Sequence, residues 1–258
     1  MFDTLKYAKP SKTPRVLGID EFKGNAGGEK YLAILTDVEN KKVIDILPNR
    51  NYDYLLKYFN KINRANTEFF VSDMWKPYRN LKSVHFEKSK LITDKYHFVR
   101  QVIWDFEKVR KEEQKRFSKK YRLTFKRSKI LLTKRFYSLN RDEVQKVKNI
   151  FRISPRLQEA HDLKEDFLNI LKEKDFSFQC EQLKNWIYTA RAYEIPEFKS
   201  SITAISNWFD SIKNALEHGF SNGFTEGCNN KIKVLKRVSY GVRNFDRFRN
   251  RILHIFNY

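Results

Sequence analysis

The first hundred residues alternate short apolar runs with polar turns, whereas the remainder carries apolar residues at helical spacing. Residues 15–19 (RVLGI), 30–37 (KYLAILTD) and 42–47 (KVIDIL) each predict a β-strand. Between the first two lies KGNAGGE, whose Gly27-Gly28 pair is a hairpin-turn signal, since residues without a Cβ tolerate the positive φ of such turns. Pro48-Asn49 and Asn51 close the third run and open a helix over about 51–64, with Tyr54, Leu55, Tyr58, Phe59 and Ile62 on one face. Residues 68–72 (EFFVS) predict a buried fourth strand and 90–93 (KLIT) a fifth. Three antiparallel strands, a helix, a strand and a short helix form the opening of an RNase H-like fold.

From about residue 95 to the end the spacing is helical almost throughout. One helix covers 95–120, and Asn140 with Glu143 forms a capping box before the next, at 141–151. Further helices are expected over 155–174, 179–193, 197–218, 224–237 and 244–256, punctuated by Pro155, Pro196 and the 219–223 segment. The fold class is therefore α/β, with an RNase H-like mixed sheet and a large all-helical insertion. Residues 1–94 form the first part of the core, 95–218 the insertion and 219–258 the closing helical part of the core.

Composition sharpens this picture. Hydrophobic residues make up 41% of the 258 positions, enough to bury a core, so wholesale disorder is excluded. Lys and Arg number 52 against 31 acids, a formal charge of +21 that attracts polyanions. Nucleic acid is the expected partner, with an anionic membrane surface as the weaker alternative. No run of 18 apolar residues exists, so no membrane span is expected, and the N-terminus lacks the apolar stretch of a signal peptide. Two cysteines, Cys180 and Cys228, are too few for a disulfide framework and read as packed thiols in a reducing compartment. Between Lys108 and Arg135 thirteen cations meet only Glu112 and Glu113, with Phe117, Tyr121, Phe125 and Phe136 close by. Such interleaving suits a surface that tracks phosphates and stacks bases, or a helix face whose aromatics enter the core.

Cleaving a phosphodiester at neutral pH without a covalent protein intermediate requires an activated nucleophile and a stabilised leaving oxygen. Two divalent ions held by carboxylates supply both. Asp20 follows the apolar run of GIDEF and is expected to end the first strand, while alternation turns Glu21 to the opposite face. Asp73 repeats the pattern in FFVSDMWKPY. Glu226, in SNGFTEGCNNKIKVLKR, opens a helix on which Asn230, Lys233 and Arg237 continue the same polar stripe, with Ile232, Leu235 and Val238 on another face. Arg243, Arg247, Arg249 and Arg251 carry the basic character onward. Other chemistries fare worse. No Gly-x-Ser-x-Gly elbow is present, KGNAGGEK lacks the P-loop spacing, and about 158 residues separate the HFVR segment at 97–100 from Tyr258, too many for a tyrosine recombinase.

The segments GIDEF, VSDMWKPY, TDKYH at 93–97 and SNGFTEGCNNKIKVLKRVSYGVRNFDRFRNRIL together resemble the DDE transposases of the ISL-three insertion-sequence family, from about Arg15 to the C-terminus. The resemblance places the catalytic, metal-holding triad on Asp20, Asp73 and Glu226, with the 95–218 helical insertion inside the 153-residue spacing of the second and third acids. It implies two Mg2+ or Mn2+ ions, hydrolysis and strand transfer on double-stranded DNA (transposon ends and target), and a homodimer on DNA in the bacterial cytoplasm, associated with the nucleoid. Asn230, Lys233, Lys236, Arg237 and Arg243 are the expected DNA contacts, and Asp94 and His97 take a supporting role. Family members carry a zinc-binding segment and a helix-turn-helix ahead of this core. About 14 residues precede the first strand here, without zinc-ligand spacing, so the chain reads as the catalytic portion. The alternative is a catalytically idle DNA-binding fragment that interferes with a full-length enzyme.

Overall fold

In a computed structural model, which describes residues 6–257, the chain divides into two units: residues 1–95 with 210–258, and residues 96–209. The first unit is built on a mixed five-stranded sheet. Strands β1 (Val16–Ala26), β2 (Glu29–Asp37) and β3 (Lys42–Leu47) form an antiparallel meander, while β4 (Phe69–Ser72) and β5 (Lys90–Thr93) run parallel to β1. The spatial order is β3-β2-β1-β4-β5. Antiparallel neighbours are joined by tight turns, whereas the parallel pairs need crossovers, which contain helices α1 (Tyr52–Phe59) and α2 (Lys76–His85). Order and directions are compatible with an RNase H-like core.

Alternation along the strands divides the apolar residues between two faces. Leu17, Ile19, Ala33, Leu35 and Phe70 pack with Leu55 and Phe59 of α1 and Tyr78 and Leu81 of α2. On the other face Phe22, Leu32, Ile34 and Ile46 pack against α11 (Gly223–Val238) and α12 (Phe245–Asn257) through Cys228, Ile232, Phe248 and Ile252. Val16, Phe69, Val71 and Ile92 continue that face toward Ala215 of α10 (Phe209–His218). Burying each such side chain contributes about 1.5–3 kcal/mol, which is what fixes the register.

The second unit is helical. It comprises α3 (Lys95–Arg116, beginning at the last residue of the first unit), α4 (Lys119–Arg127), α5 (Lys129–Thr133), α6 (Arg141–Ile153), α7 (Pro155–Ile170), α8 (Phe176–Ala192) and α9 (Lys199–Asn207). The expected capping box is present: the Asn140 side chain accepts from Glu143 N at 2.9 Å, and the Glu143 carboxylate accepts from Asn140 N at 3.1 Å. Asp105, buried on α3, accepts from the backbone N of Ser201 at 2.8 Å and from the Ser200 hydroxyl, so a carboxylate meets the positive end of α9.

Several expectations are corrected. β1 runs on to Ala26, so Asp20 lies mid-strand rather than at its end, because β2 continues to pair with β1 well past the point where β4 stops. The first helix ends at Phe59, although Ile62 is still buried beyond it. The 95–120 helix stops at Arg116, and the 197–218 helix is interrupted at Trp208. Of the aromatics near the basic stretch, Phe125 is fully buried and Phe117 stacks on it with centroids 5.0 Å apart, so this pair serves the core. Arg110 is buried too, in a two-pronged pair with Glu107 at 2.8 and 3.1 Å. Val238 is 60% exposed, leaving Cys228, Ile232 and Leu235 as the apolar face of α11. Arg249 does not continue the basic surface. It is buried, with Nε donating to Asp45 at 2.6 Å, while the Tyr58 hydroxyl donates to the other Asp45 oxygen at 2.7 Å.

Candidate active site

The parallel registers bring three acids level. Gly18 of β1 is opposite Val71 of β4, and Ser72 of β4 is opposite Thr93 of β5. Counting on past the last pair of each ladder, by two residues for β1 with β4 and by one for β4 with β5, sets Asp20 level with Asp73, and Asp73 level with Asp94. Neighbouring parallel strands lie about 4.8 Å apart, and level residues point to the same face. That face is the one formed by Val16, Val71 and Ile92. An apolar face thus becomes acidic where the parallel strands β4 and β5 end, the position at which open α/β sheets bind ligands.

Helix α11 covers this edge through polar groups. Its first residues are held by Asn222, whose side-chain amide donates to Ile19 O at 3.0 Å and whose backbone N donates to the Asp94 carboxylate at 3.3 Å. The hydroxyls of Thr36 and Thr225 lie 2.7 Å apart, both buried. One turn further along, Asn229 donates to Asp20 Oδ2 at 2.8 Å, and Asp20 Oδ1 accepts from Glu21 N at 2.8 Å. This approach is possible only because residue 18 is glycine. A Cβ there would meet Thr36 Oγ1 at 2.4 Å, Val38 Cγ2 at 2.7 Å and Asn222 Oδ1 at 2.9 Å.

Burial and neighbouring carboxylates raise the proton affinity of Asp20 and Asp73. Burial pushes Asp20 up to about 7, with the carboxylates of Glu21, Asp73 and Asp94 adding to it and the Glu21 N–H opposing. Asp73 is likewise pushed to about 7, first by burial, then by Glu21 and Asp94, against the Trp75 N–H and Arg50. Asp73 Oδ1 is buried with no hydrogen-bond partner. Glu21 faces the other way, as alternation requires, accepting from Arg50 at 2.5 Å and from the Tyr78 hydroxyl at 3.0 Å.

The remaining candidates are placed as follows. Glu226 is in the first turn of α11, between Asn222 and Asn229, with an exposed side chain. Among the described residues, no three carboxylate, imidazole or thiolate groups are grouped tightly enough to cage a metal ion. Asn230, Lys233 and Arg237 are exposed along the same helix, Lys233 Nζ donating to Asn230 at 3.2 Å. Lys236 is half-buried, its Nζ donating to Lys23 O at 3.3 Å, and burial lowers its pKa. Arg243 is exposed, and its carbonyl accepts from Gly27 N at 2.9 Å. His97 belongs to the second unit, in the first turn of α3, edge-on to Tyr96. Sequence reasoning missed Asn222, Thr225 and Asn229. Their signal was available: polar residues three and four apart on the face of α11 that also carries Cys228 and Ile232.

A transposase family profile, that of the ISL3 type of DDE transposases, matches residues 17–252. The chain belongs to this family. It is similar to the transposase for insertion sequence element IS1001 of Bordetella parapertussis, with 22% identity over 239 residues, covering 90% of this chain and 58% of that protein. The transposase for insertion sequence element IS1557 of Mycobacterium tuberculosis matches at 34% identity over 95 residues, 37% of this chain and 21% of that protein. A Lactococcus lactis protein described as an ATP-dependent protease matches at 37% over 111 residues, 43% of this chain and 34% of that protein. That description has no counterpart in a nucleotide-binding P-loop here. The chain spans about a third to three fifths of the length of the first two relatives it matches. No helix among the described residues is long and apolar enough to cross a membrane.

Proposed function

We propose that this chain is the catalytic portion of a DNA transposase, an RNase H-like core interrupted by a helical insertion, which cleaves and joins DNA phosphodiesters at Asp20, Asp73 and Glu226. The observation that carries this reading is the gathering of Asp73 and Asp94, each just past the end of its parallel strand, close enough to Asp20 on β1 for their charges to act on it. The donor set fits a hard divalent cation. It offers oxygen only, and one buried oxygen, Asp73 Oδ1, lacks any partner. Asp20 and Asp73, with Glu226 reaching from α11, would hold two Mg2+ or Mn2+ ions, whose chemistry is to make the attacking water or DNA 3′-hydroxyl more acidic and to stabilise the departing oxygen.

The chain's own residues do the positioning. Asn229 fixes the orientation of the Asp20 carboxylate, and Asn222 ties Asp94 to the start of α11, so helix and strands hold their acids in one frame. Lys233, Arg237 and Arg243, with Asn230 and Lys236, line the approach for phosphates. The partners are double-stranded DNA, as transposon ends and target, and a second copy of the chain on that DNA, in the bacterial cytoplasm at the nucleoid.

A second reading is favoured by the outward exposure of Glu226: a DNA-binding fragment without cleavage that interferes with a full-length transposase. Supercoiled-plasmid nicking in Mg2+ separates the two. The wild-type chain should nick, while Asp20→Asn, Asp73→Asn and Glu226→Gln should each lose at least about a hundredfold in rate yet bind DNA as before. Wild-type nicking retained in Asp20→Asn sinks the assignment, and binding without nicking by the wild-type chain supports the second reading.

A further inference from the structure

Helix α3 carries an outward stripe that the catalytic proposal does not use. Tyr96, Arg100, Trp104, Lys108, Lys111 and Lys115 recur at intervals of three or four residues and therefore share one face. The opposite face buries Phe98, Val102, Phe106 and Val109. Trp104 is 51% exposed and Tyr96 47%, and the Arg100 guanidinium lies between them, 5.0 Å from the Tyr96 ring and 4.4 Å from that of Trp104. Arginine placed this way stiffens two flat aromatic surfaces that still face water. The stripe then turns from aromatic to cationic. Lys108 and Lys115 each also hold an acid of the same helix, Asp105 and Glu112, at 2.7 Å, while Lys111 is exposed between them.

The geometry points to this stripe as a platform for unpaired DNA bases, Tyr96 and Trp104 stacking on them and the lysines following the phosphates of the same strand. Rings stack on any base through its π-face, so recognition would be of the unpaired state rather than of sequence. At 1.5 Å per residue, Tyr96 to Lys115 spans about 28 Å, the reach of roughly eight nucleotides at 3.4 Å each. An acidic or apolar protein partner would match only one end of the stripe. An unpaired strand, with flat bases and one charge per nucleotide, matches both ends. The inference rests on DNA being the substrate but adds a feature of it: strand ends that are frayed or opened.

The test uses the full chain carrying Asp20→Asn, so that binding is read without turnover. Fluorescence anisotropy would compare a blunt duplex with the same duplex bearing a single-stranded extension of about eight nucleotides. The extended DNA should bind more tightly. Trp104→Ala should weaken it about tenfold, toward the blunt level, and leave the blunt duplex unchanged; Trp104→Phe should restore most of the preference. Tyr96→Ala, a second exposed position, should act in the same direction. Lys111→Ala should weaken the extended DNA and reduce its salt dependence by about 0.7 unit of log–log slope, the value for one phosphate contact on a single strand. Equal binding of both DNAs by the Asp20→Asn chain, with and without Trp104→Ala, overturns the platform while leaving the DNA reading intact. Binding to neither DNA overturns both. If Trp104→Ala instead turns a dimer into a monomer at unchanged DNA affinity, the face is a contact between copies and the proposal fails.

Discussion

Replacing Gly18 with alanine tests whether α11 holds the candidate site through close backbone approach. Gly18 is not there for an unusual backbone angle; it pairs with Thr36 and Val71 as ordinary strand on both sides. It is there for space. An added methyl would meet Thr36 Oγ1 at 2.4 Å, about 1 Å inside ordinary contact, with Val38 and Asn222 also closer than 3.0 Å. The strand cannot retreat, because both neighbours hydrogen-bond it, and Thr36 is fully buried. Relief must come from α11, at the cost of the Thr36–Thr225 and Asn222–Ile19 hydrogen bonds. Overpacking costs roughly 1–3 kcal/mol and each of the two lost bonds about 1 kcal/mol, so the total should be roughly 3–5 kcal/mol. For a protein of this size that lowers Tm by about 6–20 °C, readable by circular dichroism. Nicking should fall with it, since Asp20 and Asp94 lose their helix partners. Adding Thr36→Ala removes the worst clash, so the double variant should be less destabilised than the two single changes added together. An unchanged Tm with full nicking in Gly18→Ala, or strict additivity with Thr36→Ala, would refute the reasoning.

Two further outcomes follow from buried charge. His161 is enclosed by Phe106, Phe136 and Phe151, and burial, then Lys164 and Arg135, push its pKa down to about 3. The folded state therefore refuses a proton that the unfolded chain takes up below pH 6.5, so stability drops as pH falls from about 6.5 toward 3, by at most roughly 4–5 kcal/mol. Urea midpoints measured across that window should slope down in wild type and flatten in His161→Leu; identical slopes would discount the burial. Arg249→Met should cost about 3–5 kcal/mol in urea unfolding, because it takes the cation from a buried carboxylate, Asp45, that keeps its hydrogen bonds from Tyr58 and the Ile46 N–H. Adding Asp45→Asn should recover part of that loss, and no recovery would argue against the ion pair as the cause.

Alternation and spacing in the sequence were enough to place the five strands and most helices, the capping box at Asn140, and Asp20 and Glu21 on opposite faces. These are properties of neighbours in the chain, and periods of 2 and 3.6 residues write them directly into the order of apolar and polar positions. The residues of the family blocks likewise pointed to the transposase family and to Asp20, Asp73 and Glu226 as candidates. Other features needed the fold. That Asp20, Asp73 and Asp94 stand level depends on the registers of two parallel pairs, between segments tens of residues apart that share no local signal. That Gly18 is required, that Asn222 and Asn229 rather than Asn230 reach the acids, and that Arg249 is spent on Asp45 all depend on which face of a helix meets the sheet. Arg110, Phe117 and Phe125 looked like part of a nucleic-acid surface because charge and aromaticity are local, whereas burial is a property of everything packed around them. Asp20, Asp73 and Glu226 were legible as candidates from the start; that Asp94 stands with the two aspartates was decided by the pairing of strands, and the hold on Asp20 by the docking of α11.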